Sequence, residues 1–396
     1  MSGTGWELVD LLARWVHVIA GIMWVGNSLL FNWLDRNLES PKDAAPGSLG
    51  EIWLLHSGAF YYVDKTLLGG RPLPKPLHWF VVQAMTTWWS GVVLLIAVYW
   101  AGGRAAMTDP GVALLSHNQA VMVGIGAIIG GRVLYEAMQR LVAPRAPRIA
   151  TAVWVTGLTA IAFALTQLLS GRAAFLHVGA MLGTLMALNV ASTIVPSQKQ
   201  LVASIAEGRA PDPAVSARAK RVSIHNNYFV FPVIVLMISS HFPTVYGNRL
   251  SWALLLILIA AGVAVRHVLN IRYTLRAWPA LLAATMVLGL ISLYSVIRLG
   301  SASAAVAAAN SPEPASFADV RSVIDRRCTA CHSALPSDRS FGAAPGGVLF
   351  DTPEQIESRA ARIHDRAVVS RTMPPANKTA MTEAERALLG RWATRR

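Results

Sequence analysis

Three residues near the C-terminus have the types and spacing that attach a haem covalently. Cys328, Cys331 and His332 form C-x-x-C-H within the segment DRRCTACHSALP. In this spacing the two thiols bond to the vinyl groups of the porphyrin, and the next imidazole lies beneath the iron. The chain has two cysteines, so the motif uses both. We predict a covalent haem c at Cys328 and Cys331, with His332 as axial ligand and the carbonyl of Pro336 orienting its ring.

A second axial ligand is predicted in the segment SRTMPPANKT. Met373 is followed there by Pro374 and Pro375, which restrict the backbone of the loop. A thioether ligand raises the reduction potential of the iron, as suits an electron acceptor. The alternative is that Met373 is a core residue and that Met381 or His364 binds the iron. We favour Met373, because methionine commonly partners histidine in such cytochromes.

Histidines within the apolar segments are candidate ligands of a second, non-covalent haem or of a metal ion. Two pairs match in depth: His17 with His177 toward the outside, and His78 with His225 toward the cytoplasm. Two imidazoles from different helices could clamp a haem b. The alternative is that these histidines are interfacial or hydrogen-bond a neighbouring helix. We prefer that alternative for His78 and His225, which lie at the ends of their segments.

Other polar residues of the apolar segments are candidates for binding a flat, anionic, hydrogen-bonding molecule. Arg132, Asn226, Asn227 and Arg266 all lie toward the side that we assign to the cytoplasm. Polar and charged side chains are costly inside a membrane, so they are functional candidates. Arg132 stands four residues before Glu136, and these two are expected to pair with each other. Further polar residues of these segments are Asn27, Asn32, Gln83, Gln119, Gln167, Asn189 and Asn270.

All of these residues belong to a chain with the composition of a membrane protein. Apolar residues make up 54% and charged residues 14% of its 396 residues, and the mean hydropathy is +0.45. A soluble domain has about 25% charged residues, and a crossing helix needs about 20 apolar residues. We predict an all-α fold, an eight-helix transmembrane bundle followed by a small class I-like cytochrome c domain. The predicted spans are Leu11–Leu34, His78–Ala101, Asn118–Met138, Ala150–Leu169, Ala173–Val195, Tyr228–His241, Leu250–Leu269 and Ala280–Leu299, the sixth interrupted by Pro232.

Lysine and arginine residues predict the orientation of the spans. The connections after the first, third, fifth and seventh spans carry most of them, whereas the opposite connections hold Arg104, Arg172 and Arg249. By the positive-inside rule the basic connections are cytoplasmic, so both ends of the bundle are periplasmic. The net charge of +14 therefore reflects scattered loop residues, and we expect no binding to nucleic acid.

The chain is predicted to contain three parts. Residues 1–299 form the eight-span membrane domain, residues 300–315 a flexible linker, and residues 316–396 a periplasmic cytochrome c domain. The linker sequence GSASAAVAAANSPEPAS is small and contains proline, with little to bury. Capping boxes predict three helix starts in the last part, at Ser316 with Asp319, Thr352 with Gln355, and Thr382 with Glu385.

The longest connection of the membrane domain, from Asp35 to Leu77, contains EIWLLHSGAFYYVDKTL. Its amphipathic, aromatic character favours an interfacial helix that lies on the membrane. A second interpretation, compatible with the first, is that the loop covers a cytoplasmic pocket, because long loops often carry function.

The opening RWVHVIAGIMWVGNSLLFNWLDRNL, the loop segment EIWLLHSGAFYYVDK and the terminal C-x-x-C-H occur in one chain in this order. This combination resembles the membrane-bound urate hydroxylases, or cytochrome c-fused urate oxidases, of bacterial purine catabolism. The resemblance covers the whole chain. It carries over the haem residues Cys328, Cys331, His332 and Met373, and it assigns no catalytic residue in the membrane domain.

The resemblance implies an oxidoreductase that converts urate and water into 5-hydroxyisourate, two electrons and two protons. The electrons would pass to the protein's own haem c and on to a soluble or membrane cytochrome c or a terminal oxidase, without release of hydrogen peroxide. It implies a multi-pass protein of the bacterial inner membrane. The alternative is a non-catalytic carrier of electrons from quinol or a membrane cytochrome, although eight spans are more than an anchor requires.

Overall fold

The computed structural model describes residues 3–41, 47–68, 72–101, 107–309, 315–338, 343–369 and 371–394. Within these residues the chain is mostly helical, and eight helices are long and apolar enough to cross a membrane. They are α1 Gly3–Asn37, α2 Val82–Leu94, α3 His117–Ala137, α4 Pro147–Leu168, α5 Gly171–Asn189, α6 Pro213–Ile238, α7 Ser251–Ile271 and α8 Trp278–Ala309. Helical turns of other types extend four of them: Leu95–Trp100 after α2, Met138–Val142 after α3, Val190–Ile194 after α5 and Ser239–His241 after α6. The extension of α5 leads into a further helix, Val195–Ala206. A single turn, Pro243–Tyr246, precedes α7.

Large apolar side chains lie on the outer surface of these helices. On α1, Leu11, Trp15 and Ile22 are 62%, 63% and 66% exposed. Exposed apolar stripes of this extent mark contact with a membrane or a partner. The eight helices therefore fit a lipid-facing arrangement, and α5 is the most buried of them.

The chain divides into two compact units that cut across the helices. Unit 1 consists of the three segments Met1–Leu95, Gly183–Val230 and Arg266–Trp278. Unit 2 consists of Ile96–Leu182, Phe231–Val265 and Pro279–Arg396. Unit 2 thus combines parts of the apolar helices with the whole C-terminal module.

Helix α6 runs without a break through Pro232. The sequence predicted a short sixth span over Tyr228–His241, but the apolar helix covers Pro213–His241. Proline removes a backbone donor and crowds the preceding turn, so the helix around it needs room. Gly262 of α7 provides it, because a Cβ on Gly262 would lie 2.9 Å from the backbone nitrogen of Pro232.

The loop between α1 and α2 forms a β-hairpin, and the predicted interfacial helix is wrong. Strand β1, Ser48–His56, pairs antiparallel with β2, Ala59–Thr66. Ser57 and Gly58 make the turn with φ values of 53° and 77°, as tight hairpins require. Aromatic and β-branched residues favour strands, and this hairpin corrects the all-α prediction.

The described residues of the C-terminal module contain four α-helices. They are α9 Phe317–Arg327, α10 Pro353–Glu357, α11 Ala360–Ile363 and α12 Glu383–Ala393, joined by short turns over Pro345–Gly347, His364–Val369 and Pro375–Asn377. The three predicted capping boxes, at Ser316, Thr352 and Thr382, are confirmed. Val320, Ile324, Ile356 and Leu389 are fully buried in the core of the module.

The segment predicted as a flexible linker begins as a continuation of α8. This helix extends to Ala309, ten residues beyond the predicted end of the membrane domain at Leu299. Residues 310–314 of the predicted linker lie outside the described residues, as does Arg104 of the topology prediction.

Replacing Gly262 by alanine should destabilise the contact between α6 and α7. The added Cβ meets the backbone of Pro232, which cannot rotate away, and overpacking of this kind costs about 1–3 kcal/mol. Thermal unfolding in detergent should show a lower Tm for Gly262→Ala. Gly130→Ala is the matched control, because no atom lies within 4 Å of its Cβ position. Equal Tm values for the two variants would contradict this packing.

Candidate functional site

The C-x-x-C-H motif forms a tight turn directly after α9. The backbone N–H groups of Cys331 and His332 both donate to the carbonyl of Cys328, at 3.1 and 2.9 Å. Both cysteines are free thiols and half-buried. The turn therefore holds the two thiols and the imidazole on one short piece of backbone.

The His332 ring is fixed by residues from a distant part of the module. Its Nδ1 lies 3.0 Å from the carbonyl oxygen of Val348, and the ring of Phe350 packs edge-on at 5.4 Å. A carbonyl only accepts, so Nδ1 carries the proton and Nε2 remains the nitrogen that could bind a metal. The orienting carbonyl comes from Val348, and the predicted role of Pro336 is wrong.

The two thiols are neutral at pH 7. Burial and then the neighbouring Cys331 raise the pKa of the Cys328 thiol to about 12. Burial, and then a hydrogen bond to Asp338, raise the pKa of Cys331. Nucleophilic cysteines have lowered pKa values in electropositive surroundings, so these two thiols differ from those of catalytic cysteines.

Arg386 holds the loop that carries Met373. Its guanidinium is buried and donates to the carbonyls of Ala367 and Met373, the latter at 3.0 Å, and to Asn377 Oδ1 at 3.2 Å. Burial, and then the charge of Arg371, lower the pKa of Arg386 to about 10, so it remains charged at pH 7. One cation therefore fixes both ends of the Met373 loop.

The rival iron ligands occupy different surroundings. Met381 is 3% exposed and belongs to the apolar core of the module. His364, on the wide turn after α11, and Met373 are both half-buried. The core position of Met381 disfavours it as a ligand, and Met373 stays the predicted ligand.

The Met373 loop returns to the C-x-x-C-H turn. The hydroxyl of Thr379 donates to the carbonyl of Arg327 at 3.0 Å, one residue before the motif. Lys378 pairs with Asp338, whose carboxylate lies 3.5 Å from the Cys331 sulfur. These contacts place the two predicted ligand segments side by side, and the residues present fit a covalently attached haem.

A second group of polar residues lies between α6 and α7 in unit 1. Arg266 is 5% exposed and donates from Nε to Asn227 Oδ1. The Asn227 amide in turn donates to Asn270 Oδ1 at 3.3 Å. Next to them, the Tyr228 hydroxyl lies 2.8 Å from His267 Nδ1. The sequence placed Arg266 and Asn227 in one candidate site, and the structure brings them into contact.

A pair of amides extends this group to α5. Asn189 is fully buried and donates to Asn226 Oδ1 at 2.9 Å, while the Asn226 amide donates to the carbonyl of Met186 at 3.0 Å. We call Asn189, Asn226, Asn227, Arg266 and Asn270 the inner polar cluster. Amides both donate and accept, and a guanidinium offers a cation with directed donors. In the structure these groups pair with one another and with the Met186 carbonyl.

Arg132, the fourth predicted substrate residue, has a structural partner in unit 2. It donates to Glu136 at 2.7 Å, as the spacing predicted, and Glu136 also pairs with Arg140. These ion pairs explain the presence of a charged Arg132 in an apolar helix, and no bound ligand is needed to explain it.

The predicted haem b histidines have separate surroundings. His17 Nδ1 lies 2.9 Å from the carbonyl of Thr87, which leaves Nε2 as the possible ligand nitrogen. His78 is exposed in the segment before α2, and His225 is half-buried on α6. All three belong to unit 1.

His177 belongs to unit 2 and is fully buried. Its Nδ1 lies 2.8 Å from the Ala173 carbonyl, and its Nε2 accepts from the Trp100 indole N–H at 3.1 Å. Both ring nitrogens are thus engaged, so an iron ligand at His177 requires Trp100 to move. A haem b between these histidines stays a prediction.

Sequence reasoning missed the residues that act through distant partners. The position of Arg386 in α12 does not distinguish it from a surface arginine in the sequence. Val348 acts through its backbone carbonyl, so its side chain gives no indication of the role. Asn189 and Asn270 were noted as polar residues of the spans, but they were not linked to Arg266. A polar residue one turn from Arg266, such as Asn270, is the signal that could have identified the cluster.

Comparison with known proteins gives one match. A family model described as urate oxidase N-terminal matches residues 3–297. No curated protein and no solved structure matches the chain. The match includes seven of the eight apolar spans and ends three residues before the end of the eighth, at Gly300. The C-x-x-C-H module lies outside the match.

Replacing Arg386 by methionine should loosen the Met373 loop. The change leaves three buried or half-buried acceptors without their donor, which should lower the free energy of unfolding of the module by about 3 kcal/mol. Proteolysis of the C-terminal module in the full-length protein, followed across a denaturant series, measures this loss.

Arg362→Met is the matched control. Arg362 is exposed on α11, and surface substitutions of this kind change stability by about 0.5 kcal/mol or less. If both variants unfold at the same denaturant concentration, Arg386 does not have the role assigned to it.

Proposed function

Because the chain belongs to the urate oxidase N-terminal family, we propose that it is a membrane-bound urate hydroxylase. The net reaction joins urate and water to give 5-hydroxyisourate, two electrons and two protons. The electrons leave to an acceptor other than dioxygen, so no hydrogen peroxide forms. The observation that carries this proposal is a C-x-x-C-H turn with an oriented imidazole in a chain that also matches the family over residues 3–297.

The C-terminal module supplies the electron acceptor in this proposal. Cys328 and Cys331 would hold haem c, with His332 and Met373 as axial ligands. A haem held in this way accepts one electron at a time and passes it to an external cytochrome c or terminal oxidase. Arg386 and Val348 keep the two ligand segments in place whether or not electrons flow.

The inner polar cluster is the proposed urate site. Urate at neutral pH is a planar anion whose edges alternate between N–H donors and carbonyl acceptors. Arg266 matches the charge and can donate to two acceptors at once. The amides of Asn226 and Asn227 would match the alternating edges, since each both donates and accepts. Urate would have to replace the neighbours that these amides now engage, Asn189 and the Met186 carbonyl for Asn226, and Arg266 and Asn270 for Asn227.

The orientation of the chain gives this site access to urate. The cluster lies near the predicted cytoplasmic ends of α5, α6 and α7, where the positive-inside rule places the basic connections. Purine breakdown, which the family resemblance implies, produces urate in the cytoplasm.

Proton release requires a base near the reacting ring. Tyr228 and His267 form a hydrogen-bonded pair beside Arg266 and Asn227. A neutral His267 imidazole can accept a proton that leaves urate or the attacking water. The pair lies near the end of α7, from which a proton can pass to water.

An intramembrane relay is the remaining part of the proposal. An inner site and an external haem are separated by hydrocarbon about 30 Å thick, too far for one useful electron-tunnelling step. A haem b held by His17, His177, His78 or His225 would shorten the steps. Pyridine haemochrome spectra of the purified protein separate haem b from haem c, and haem c alone would remove this part.

Urate should reduce the haem c of the purified, oxidised protein under anaerobic conditions. The measurement mixes the protein with urate, and separately with a quinol, while haem c absorption and 5-hydroxyisourate are followed. Reduction by urate with product formation is expected. Reduction by quinol alone would support the non-catalytic electron carrier and overturn the enzyme.

Arg266→Gln should raise the KM for urate by roughly tenfold to a hundredfold, because a charged hydrogen bond contributes about 1.5–3 kcal/mol. Chemical reduction of haem c by dithionite should be unchanged. Arg132→Gln is the control, since Glu136 keeps Arg140 as a partner. Should both variants show the same KM, the inner polar cluster is not the urate site.

A further inference from the structure

The connection between α6 and α7 contacts the C-terminal module through an ion pair. Arg249 Nη2 lies 2.6 Å from Glu383 Oε2, and the same carboxylate oxygen accepts from Arg371 at 2.5 Å. Arg249 belongs to the membrane domain, whereas Glu383 and Arg371 belong to the module. We propose that residues 242–250 are a docking surface for the chain's own C-terminal module, closed by this Arg249–Glu383–Arg371 triad.

A second loop contributes to the same contact. A Cβ on Gly111 would lie 3.6 Å from the Asn377 side-chain nitrogen, so this loop approaches the module at van der Waals distance. The Asp109 carboxylate, which accepts from the Gly111 N–H at 2.8 Å, also acts electrostatically on Arg386. Asn377 and Arg386 are the residues that fix the Met373 loop. The docking surface therefore faces the side of the module that carries Met373.

Charged and aromatic residues continue from this surface into unit 2. The charges of Arg172 and Arg366 both act on Tyr246, and the backbone carbonyl of Arg366 accepts from the N–H of Met373 at 3.0 Å. On the other side, the Arg172 guanidinium lies 5.9 Å from the centre of the Tyr99 ring.

Tyr99 leads from the docking surface to the buried His177. The two rings meet edge to face, 5.7 Å apart. Docking thus places the Met373 loop and His177 on opposite sides of a group formed by Arg366, Tyr246, Arg172 and Tyr99, which interact through charge and ring contacts. Resting on the proposed function, we assign this contact as the place where electrons enter the module.

The triad is electrostatic, so docking should respond to salt. Burial raises the pKa of Glu383. The hydrogen bonds and charges of Arg371 and Arg249 lower this pKa by more, so the net shift is downward. The carboxylate is therefore ionised at neutral pH. Glu383 is 58% and Arg249 33% exposed, and salt screens exposed charges strongly. High salt should therefore release the module from this surface. If the contact were apolar instead, high salt would leave the module in place.

Hydrogen exchange of the full-length protein tests the docking directly. At low salt, Arg249→Gln and Glu383→Gln should each increase deuterium uptake over residues 242–250 several-fold. Sodium chloride should produce the same increase in the unsubstituted protein, with little further effect in the variants. Arg249 lies outside the module, so its variant cannot act by unfolding the module.

Arg321→Gln is the matched control within the module, and it should leave uptake over residues 242–250 unchanged. The double variant Arg249→Gln with Glu383→Gln should resemble each single variant, because all three break the same contact. Unchanged uptake in both single variants, or an equal increase in the control, would overturn the docking surface.

Urate-driven reduction of haem c supplies the second readout. Both docking variants should slow this reduction several-fold at low salt, whereas reduction by dithionite should keep its rate. If reduction by urate keeps its rate although exchange increases, electrons do not enter at this contact. If urate fails to reduce the unsubstituted protein, the proposed function fails, while exchange still decides whether the module docks.

Discussion

The need to pair polar groups that are buried between apolar helices is the constraint on which this structure depends. An unpaired buried amide or guanidinium costs several kcal/mol where no water can replace the missing partner. Asn189 and Arg266 are 0% and 5% exposed, and each binds an asparagine of α6. Pairing therefore fixes how α5, α6 and α7 meet. The proposed urate site lies where these paired groups are concentrated.

The same rule organises the C-terminal module around one buried cation. Arg386 satisfies the carbonyls of Ala367 and Met373, much as the asparagines of α6 satisfy Arg266. The imidazole of His332 is held by the carbonyl of Val348, 16 residues further along the chain. Each proposed iron ligand is thus held through a backbone carbonyl. The His332 ring bonds to the carbonyl of Val348, and the carbonyl of Met373 accepts from Arg386. A haem bound there would meet ligands that are already oriented, which lowers the cost of binding.

Local features of the fold could be predicted from the sequence, and features that depend on distant partners could not. The capping boxes at Ser316, Thr352 and Thr382 were predicted because their hydrogen bonds span three residues. The eight apolar helices were predicted because length and hydropathy suffice. Pro232 misled the prediction, because the glycine that accommodates it lies on another helix. The hairpin was missed because its alternating aromatic pattern was interpreted as amphipathic helix, although Gly58 marks its turn. For the candidate sites, C-x-x-C-H was sufficient to predict the haem residues, which stay a prediction, while the partners of Asn189, Asn270 and Arg386 needed the tertiary contacts.

The most direct test of the central claim is an anaerobic titration of the oxidised full-length protein with limiting urate in isotope-labelled water. The account requires that urate gives its electrons to covalent haem without dioxygen. It predicts that each urate reduces the haem c of two chains and that the 5-hydroxyisourate carries one oxygen from the labelled water. If haem c stays oxidised, and urate is consumed only when dioxygen is admitted, with hydrogen peroxide as a product, the account is contradicted.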